Sequence, residues 1–416
     1  MNINIIKIIL NFKGIRYWIN NLFFYLKWFF FLLYANTLFK LERLIYIFLK
    51  KICNKKLKTR LFLSSGNISL INILTFLTQY PEDNTEDILV IDSVLGTKDF
   101  YEINKKIAML HNFKKVYCIQ NQRTLPFILK NNLFGIDEIY AHTKLDYMRF
   151  LIPLFKDCKF HIFDEGIASL IEQYHPNNKY INDIITMNYC DKFDKLGFEN
   201  IPIRTLDKDI FLQIANNINE QYPFDIKISQ DAKVIMFCSA YWNSFNMGKE
   251  AFYNYQNSIL HKLINNGFTV VYKQHPREVE DIEIPYGVIK TKSLLPLEIY
   301  NIDVLAIVSI ASTVSLHPYH YWNIPGFVSI NAETIKTDGL NFITIVRKML
   351  AEYIPDVSEL LKLSANDYSK EDLKKLLKEI MNIKLNSQNK LSENKILLDE
   401  FRIFKKQEEN KFDKKW

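Results

Sequence analysis

From residue 59 onward, short apolar runs alternate with longer amphipathic stretches. TRLFLSS (59–65), DILVIDS (87–93), KVYCIQ (115–120), DEIYAH (137–142) and KFHIFDE (159–165) each read as a buried strand, with helix-length intervals between them. Near-continuous apolar runs with crossover-length spacers predict a parallel sheet covered by helices. Residues 191–228 break this rhythm with a polar stretch that includes NNINEQYPFD. The pattern then restarts with AKVIMFCSA (232–240), FTVVYKQHP (268–276), DVLAIVSIAS (303–312) and GFVSI (326–330). This pattern predicts an α/β chain of two open halves, with ligands bound in the crevice at the carboxyl ends of the strands.

On this reading residues 59–210 form the first Rossmann-like domain and residues 211–360 the second. Residues 361–416 form a Lys-, Glu-, Asn- and Leu-rich helical tail whose charges alternate in sign, as on a solvated helix face. Residues 1–58 are different. LFFYLKWFFFLLYANTLF (22–39) is broken by Lys27, and LIYIFL (44–49) is followed by the basic cluster KKICNKKLKTR (50–60). The apolar run is borderline in length for a span, and its flanks lack the cleavage site of a secretory leader. Aromatics mixed with Lys and Arg suit helices lying in the headgroup region of an anionic surface, and the same faces would also serve to pack on a globular body.

Charge sharpens this division. The formal net charge is +7, yet residues 1–60 carry twelve Lys or Arg against the single acid Glu42, so the remaining 356 residues sum to −4. Basicity therefore belongs to the N-terminus, and no nucleic-acid groove through the body is implied. The 31 Phe and 23 Tyr supply enough burial to exclude a disordered ensemble. Cys53, Cys118, Cys158, Cys190 and Cys238 are dispersed with no C-x-x-C pair, which reads as reduced thiols with neither a disulfide framework nor a zinc site. Neither a G-x-G-x-x-G nor a Walker A sequence is present, which argues against a nicotinamide dehydrogenase or a P-loop enzyme.

Three motifs fall where strand-end loops are expected. Asp164-Glu165-Gly166 follows the apolar run HIF, so one carboxylate can face the cleft as a base while Gly166 lets the backbone turn. Lys273-Gln274-His275-Pro276-Arg277-Glu278 brings His, Lys and Arg together within five positions, a set suited to charge-assisted hydrogen bonds to phosphate. Ser309-Ile310-Ala311-Ser312-Thr313-Val314-Ser315 precedes a predicted helix, where hydroxyls cap the helix or hold a phosphate. Tyr241 and Trp242 follow the first strand of the second half and either line the cleft or fill core; His161, His175, His317 and His320 read as structural or surface residues.

The order of the three motifs, over roughly residues 61–330, resembles the bacterial sialyltransferases and polysialyltransferases, which carry an acidic pair plus Gly, a His-Pro dipeptide and a downstream Ser/Thr motif. The resemblance implies a GT-B glycosyltransferase: two Rossmann-like domains facing a central cleft, performing metal-independent, inverting transfer from a CMP-sugar with no cofactor. It implies that Asp164 or Glu165 deprotonates the acceptor hydroxyl, with Asp164 the first choice. His275, with Lys273, Pro276 and Arg277, would steady the departing phosphate, assisted by Ser312 and Thr313. The implied partners are a nucleotide-sugar donor, a capsule or lipooligosaccharide glycan acceptor, and the cytoplasmic face of a bacterial inner membrane through residues 1–58; a homo-oligomer is compatible with all of this. Two other readings share these residues: a transferase using CMP-Kdo or a CDP-linked alcohol, and a non-catalytic, membrane-docked component of polysaccharide assembly.

Overall fold

In the computed structural model the described residues are 45, 57–64, 66–92, 98–119, 135–142, 155, 157–163, 180–187, 201–242, 245, 247–275, 278, 280, 282–310, 312–330, 342–390 and 393–413. The proposed membrane-associating segment lies almost wholly outside them. Among the described residues no helix is long and apolar enough to cross a membrane.

The first half is a seven-stranded sheet of β1 (Lys58–Ser64), β2 (Thr85–Asp92), β3 (Lys115–Ile119), β4 (Ile136–His142), β5 (Lys159–Phe163), β6 (Ile181–Met187) and β7 (Ile203–Leu206). Its order is β3-β2-β1-β4-β5-β6-β7, with every pairing parallel. The second half is a five-stranded sheet of β8 (Val234–Cys238), β9 (Thr269–Lys273), β10 (Ile289–Thr291), β11 (Ala306–Ser309) and β12 (Gly326–Val328), ordered β10-β9-β8-β11-β12 and again all parallel. Both sheets are doubly wound, so each has one point where the strand order reverses: between β1 and β4 in the first, between β8 and β11 in the second. At such a point neighbouring connections leave toward opposite faces, which opens a crevice at the carboxyl ends of the strands.

Lys58, counted with the basic N-terminal segment on charge, is the first residue of β1, and its ammonium pairs with Glu82 at 2.7 Å and Glu138 at 2.9 Å. Strands β6, β7 and β10 come in addition to those read from the sequence.

Helix α1 (Asn67–Gln79) follows β1 and is buried on nearly every side, including Asn67, Ser69, Asn72 and Thr75. One side packs on the first sheet and another on α3 (Lys208–Gln221), whereas α2 (Lys98–Ala108) covers β3. Helix α3 is capped by Asp207, whose carboxylate accepts the amides of Asp209 and Ile210 at 2.7 and 3.1 Å. It joins the halves. Phe211 stacks on Tyr321 at 4.1 Å, and Lys208 Nζ donates to the His320 carbonyl at 2.6 Å. One continuous apolar cluster therefore runs from Phe62, Phe76 and Phe211 to Leu297, Tyr321 and Tyr353.

The second sheet is covered by α4 (Lys249–Asn265), and two C-terminal helices, Lys370–Ser387 and Lys395–Asp413, follow, the latter packing on the helix Phe342–Tyr353. One face of these helices is core: Leu373 and Leu377 pack under the second sheet, while Met381, Leu385, Leu397, Phe401 and Phe404 join the large cluster.

The opposite end of the first sheet carries a row of buried charge. Arg60 donates from Nε and Nη2 to Asp87 at 2.7 and 2.9 Å, and His111 Nε2 meets the same carboxylate at 2.9 Å. Tyr140 donates to Glu138 at 2.7 Å, its ring stacks on His161 at 4.3 Å, and His161 pairs with Asp183, which also holds Arg204 at 2.6 Å. These side chains lie near the amino ends of β1, β2, β4, β5, β6 and β7, away from the crevice. His161 is thus a structural residue, as expected.

Candidate active site

The β8–β11 reversal point sets three loops beside one another, and they carry the candidate residues of the second half. The loop after β8 brings Tyr241 and Trp242, the loop after β9 brings His275, and the loop after β11 brings Ser312. The His275 ring lies against Tyr241, 6.1 Å between centroids at 24°, so the first two loops meet at these rings.

The neighbours of His275 hold the loop rather than face outward. Lys273 is 8% exposed, and its ammonium donates to the Ser293 carbonyl at 2.5 Å. Burial drives its pKa below the usual lysine range, opposed by the nearby Cys238, Glu298 and Asp225. Gln274 donates from Nε2 to the carbonyls of Glu278 and Glu280 at 2.7 and 2.6 Å, and the Glu278 amide donates back to the His275 carbonyl at 2.9 Å. The turn is thereby closed on itself. Glu278 is itself buried, and its carboxylate accepts the Trp242 amide at 3.2 Å, tying the His275 turn to the loop after β8. Burial and the adjacent Glu278 together raise the Tyr253 hydroxyl on α4. Ser239, where that loop begins, donates to the fully buried Gln256 at 2.6 Å. Cys238 ends β8 as an inert thiol, pushed up to about 12 by burial.

The hydroxyl loop divides its labour. Ser309 and Ser315 face each other at 2.5 Å between their oxygens, Ser309 Oγ donates to the Ser312 carbonyl at 3.0 Å, and Ser315 Oγ donates to the Phe327 carbonyl at 2.9 Å. Both are consumed in fixing a tight 3-10 turn, Thr313–Ser315. Gly326 is required opposite, because a Cβ there would fall 1.5 Å from the Ser315 carbonyl oxygen. Ser312 remains half-buried at the loop's edge, with the Val314 amide 3.4 Å from its Oγ. His317 opens the short helix α5 (His317–Trp322) beneath this turn, buried and bonded to Glu298 at 3.1 Å.

Asp164, Glu165, Gly166, Pro276 and Arg277, and the side chain of Thr313, lie outside the described residues. Among described residues, no group of His, Cys, Asp and Glu is arranged to hold a metal ion. Sequence reasoning assigned no part to Glu278, Gln274 or Asn67. The first two stand inside the His-Pro motif, where an amide and an acid lie on either side of His275 in sequence; Asn67 carries no local signal.

Two doubly wound parallel sheets, their carboxyl-end loops meeting where the Asn67 side chain donates to the Leu294 carbonyl at 3.3 Å, define a protein of the GT-B architectural class. The chain is similar in structure to a variant of the wall teichoic acid polymerase TagF, at 13% identity over 89% of this chain and 94% of that one, with a TM-score of 0.49. It is similar to the UDP-GlcNAc 2-epimerase from Methanocaldococcus jannaschii, at 15% identity over 83% and 99% of the two chains with a TM-score of 0.47. The E. coli ADP-heptose lps heptosyltransferase II is 12% identical over 65% and 84% of the chains, with a TM-score of 0.33. No protein-family model matches the sequence, and no curated protein matches it. These likenesses concern the fold, and the chemistry rests on the residues.

Proposed function

We propose that the protein is an inverting glycosyltransferase that transfers sialic acid from CMP-sialic acid to a cell-surface glycan, without a metal or cofactor. The observation that carries this reading is the contact of His275 with Tyr241, beside Trp242, at the reversal point of the second sheet, where the loop of Ser312 follows the neighbouring strand. An imidazole at a strand end can donate to a departing phosphate, and a Tyr–Trp pair offers a face for a base. Arg277, two residues on, adds a second cation in this reading. In the first half Asp164 and Glu165 directly follow β5, so one of them is the base that takes the acceptor proton. A keto-sugar already bearing a carboxylate departs through an oxocarbenium-like state, for which leaving-group charge stabilisation and a positioned base are the main requirements. Residues 1–58 would hold the enzyme at the cytoplasmic face of the inner membrane, near a lipid-linked or nascent glycan.

The test is incubation of the purified chain with CMP-sialic acid, CMP-Kdo, CDP-glycerol and UDP-sugars, scoring the nucleotide released. CMP release from CMP-sialic acid alone is expected. Release from CMP-Kdo or CDP-glycerol in its place would move the donor to that sugar or alcohol. A chain that binds no nucleotide by calorimetry would be the non-catalytic assembly component.

A further inference from the structure

The carboxyl end of β1 carries a second polar feature that the reaction outlined above does not use. Helix α1 begins there after Gly66, which is extended and supplies no side-chain cap, and the first helical hydrogen bond is Leu70 N to Gly66 O at 3.0 Å. The amides of Asn67 and Ile68 precede that bond, so they lie at the positive end of a 13-residue helix. Space is open beside it, because a Cβ placed on Gly66 would meet nothing within 4 Å. This start lies at the β1–β4 reversal point, where the first half forms its crevice.

Asn67 supplies the independent observation. Its side chain is 6% exposed and reaches the second half, where Nδ2 donates to the Leu294 carbonyl at 3.3 Å. With Nδ2 so spent, Oδ1 is buried without a hydrogen-bond donor, an arrangement folded proteins seldom leave unfilled. Leu294 is itself anchored, since the preceding carbonyl of Ser293 takes the Lys273 ammonium at the end of β9, two residues before His275. The orphan acceptor and the helix start are therefore held in register with the loop assigned to the donor phosphate.

We propose that the start of α1 and Asn67 form the subsite for the sugar of the donor, specific for a sugar acid: the carboxylate sits on the amides of Asn67 and Ile68, and a sugar hydroxyl donates to Asn67 Oδ1. A neutral sugar or alcohol offers the helix start only uncharged oxygens, so this subsite favours acidic donors. The inference rests on the transferase reading and adds to it the group that tells one nucleotide donor from another.

Calorimetry on the full chain with CMP and with CMP-sialic acid tests this, using Asn67→Ala and Asn67→Asp. The Asp variant keeps the size of the side chain but gives up the Nδ2 donor to Leu294, so Asn67→Gln, which keeps an amide donor, serves where either variant fails to fold. Wild type should bind CMP-sialic acid about tenfold or more tightly than CMP. Both variants should lose that margin, the Asp variant more severely because its carboxylate repels that of the sugar, while CMP affinity stays within about twofold. Equal loss for both ligands would make Asn67 a tie between the halves only, and wild-type affinity for CMP-sialic acid in both variants would overturn the subsite. If wild type binds no CMP at all, the transferase reading fails first and takes the subsite with it.

Discussion

The carboxylate of Glu278 accepts the backbone amide of Trp242 at 3.2 Å, joining the His-Pro turn to the loop that carries Tyr241. Because Glu278 is buried, this bond is shielded from water, and an amide–carboxylate bond of that kind is worth about 1.5–3 kcal/mol. Glu278→Ala should lower stability by about that amount and loosen the stack of His275 on Tyr241, whereas Glu278→Gln, which keeps an acceptor oxygen, should retain most of both. His275→Ala gives the contrast: stability near wild type, with CMP bound about 1.5–3 kcal/mol more weakly. Urea denaturation and calorimetric titration of CMP, run on all three variants, measure the two effects separately; unchanged CMP affinity in folded His275→Ala would return His275 to a structural role.

Asp164→Asn or Glu165→Gln should abolish transfer with CMP binding nearly intact, because the amide keeps the shape and cannot accept the proton. A positioned base contributes about 10² to 10⁴ in rate, so the variant that removes it should fall by at least that order in a transfer assay. The other carboxylate should matter less, unless it orients its neighbour. Near-wild-type transfer by both single variants and the double variant would remove these carboxylates from the mechanism.

Acid should unfold the first half through its buried carboxylates. Burial alone would raise Asp87, but hydrogen bonds from His111 and Arg60, and their charges, hold it below the ordinary range; Glu138 is lowered in the same way by Lys58 and Tyr140. A carboxyl depressed in the folded state takes up its proton first in the unfolded chain, at a pH of about 4. Its contribution is therefore full above that value and is lost as pH falls through the folded pKa. Stability in urea should drop steeply below about pH 4. Asp87→Ala should cost about 3–5 kcal/mol near neutrality by leaving the buried Arg60 with only the more distant Glu82, at 3.7 Å, as counter-charge, and it should flatten the acid limb. An acid limb as steep as that of the parent would show that these pairs do not set it.

Removal of residues 1–56 should move the protein from the membrane fraction to the soluble fraction. The cut stops before Lys58 because that residue opens β1 and pairs with Glu82 and Glu138. Each Lys or Arg near an anionic surface contributes about 1 kcal/mol, so wild type should be released progressively by salt. Sedimentation of the truncated chain with membranes at high salt would place the contact elsewhere.

By itself the sequence determined where most strands run and that they form two parallel sets. Runs such as LFL in β1, ILVI in β2 and VIMF in β8 are apolar on both faces, and only a strand buried between two helical layers uses such a run. The three motifs stand out in the sequence for a related reason: they are compact, and each follows such a strand. What the sequence left undecided depends on groups far apart in the chain. Strand β6 opens with Ile181-Asn182-Asp183, which reads locally as a turn, yet Asn182 accepts the Phe160 amide at 2.9 Å and Asp183 holds His161, so a neighbouring strand makes it a strand. Edge strands β7 and β10, four and three residues long, are too short to show a period. Lys273 reads as a phosphate ligand from its neighbours, and the Ser293 carbonyl, twenty residues away, takes its ammonium into the interior. Asn67 has no local signal, and its place between the halves follows from Leu294, 227 residues further along. Periodicity records which face of an element is dry; the partner of a buried polar atom is a property of the packed chain, because it depends on which distant carbonyl or carboxylate the fold brings within 3 Å or so.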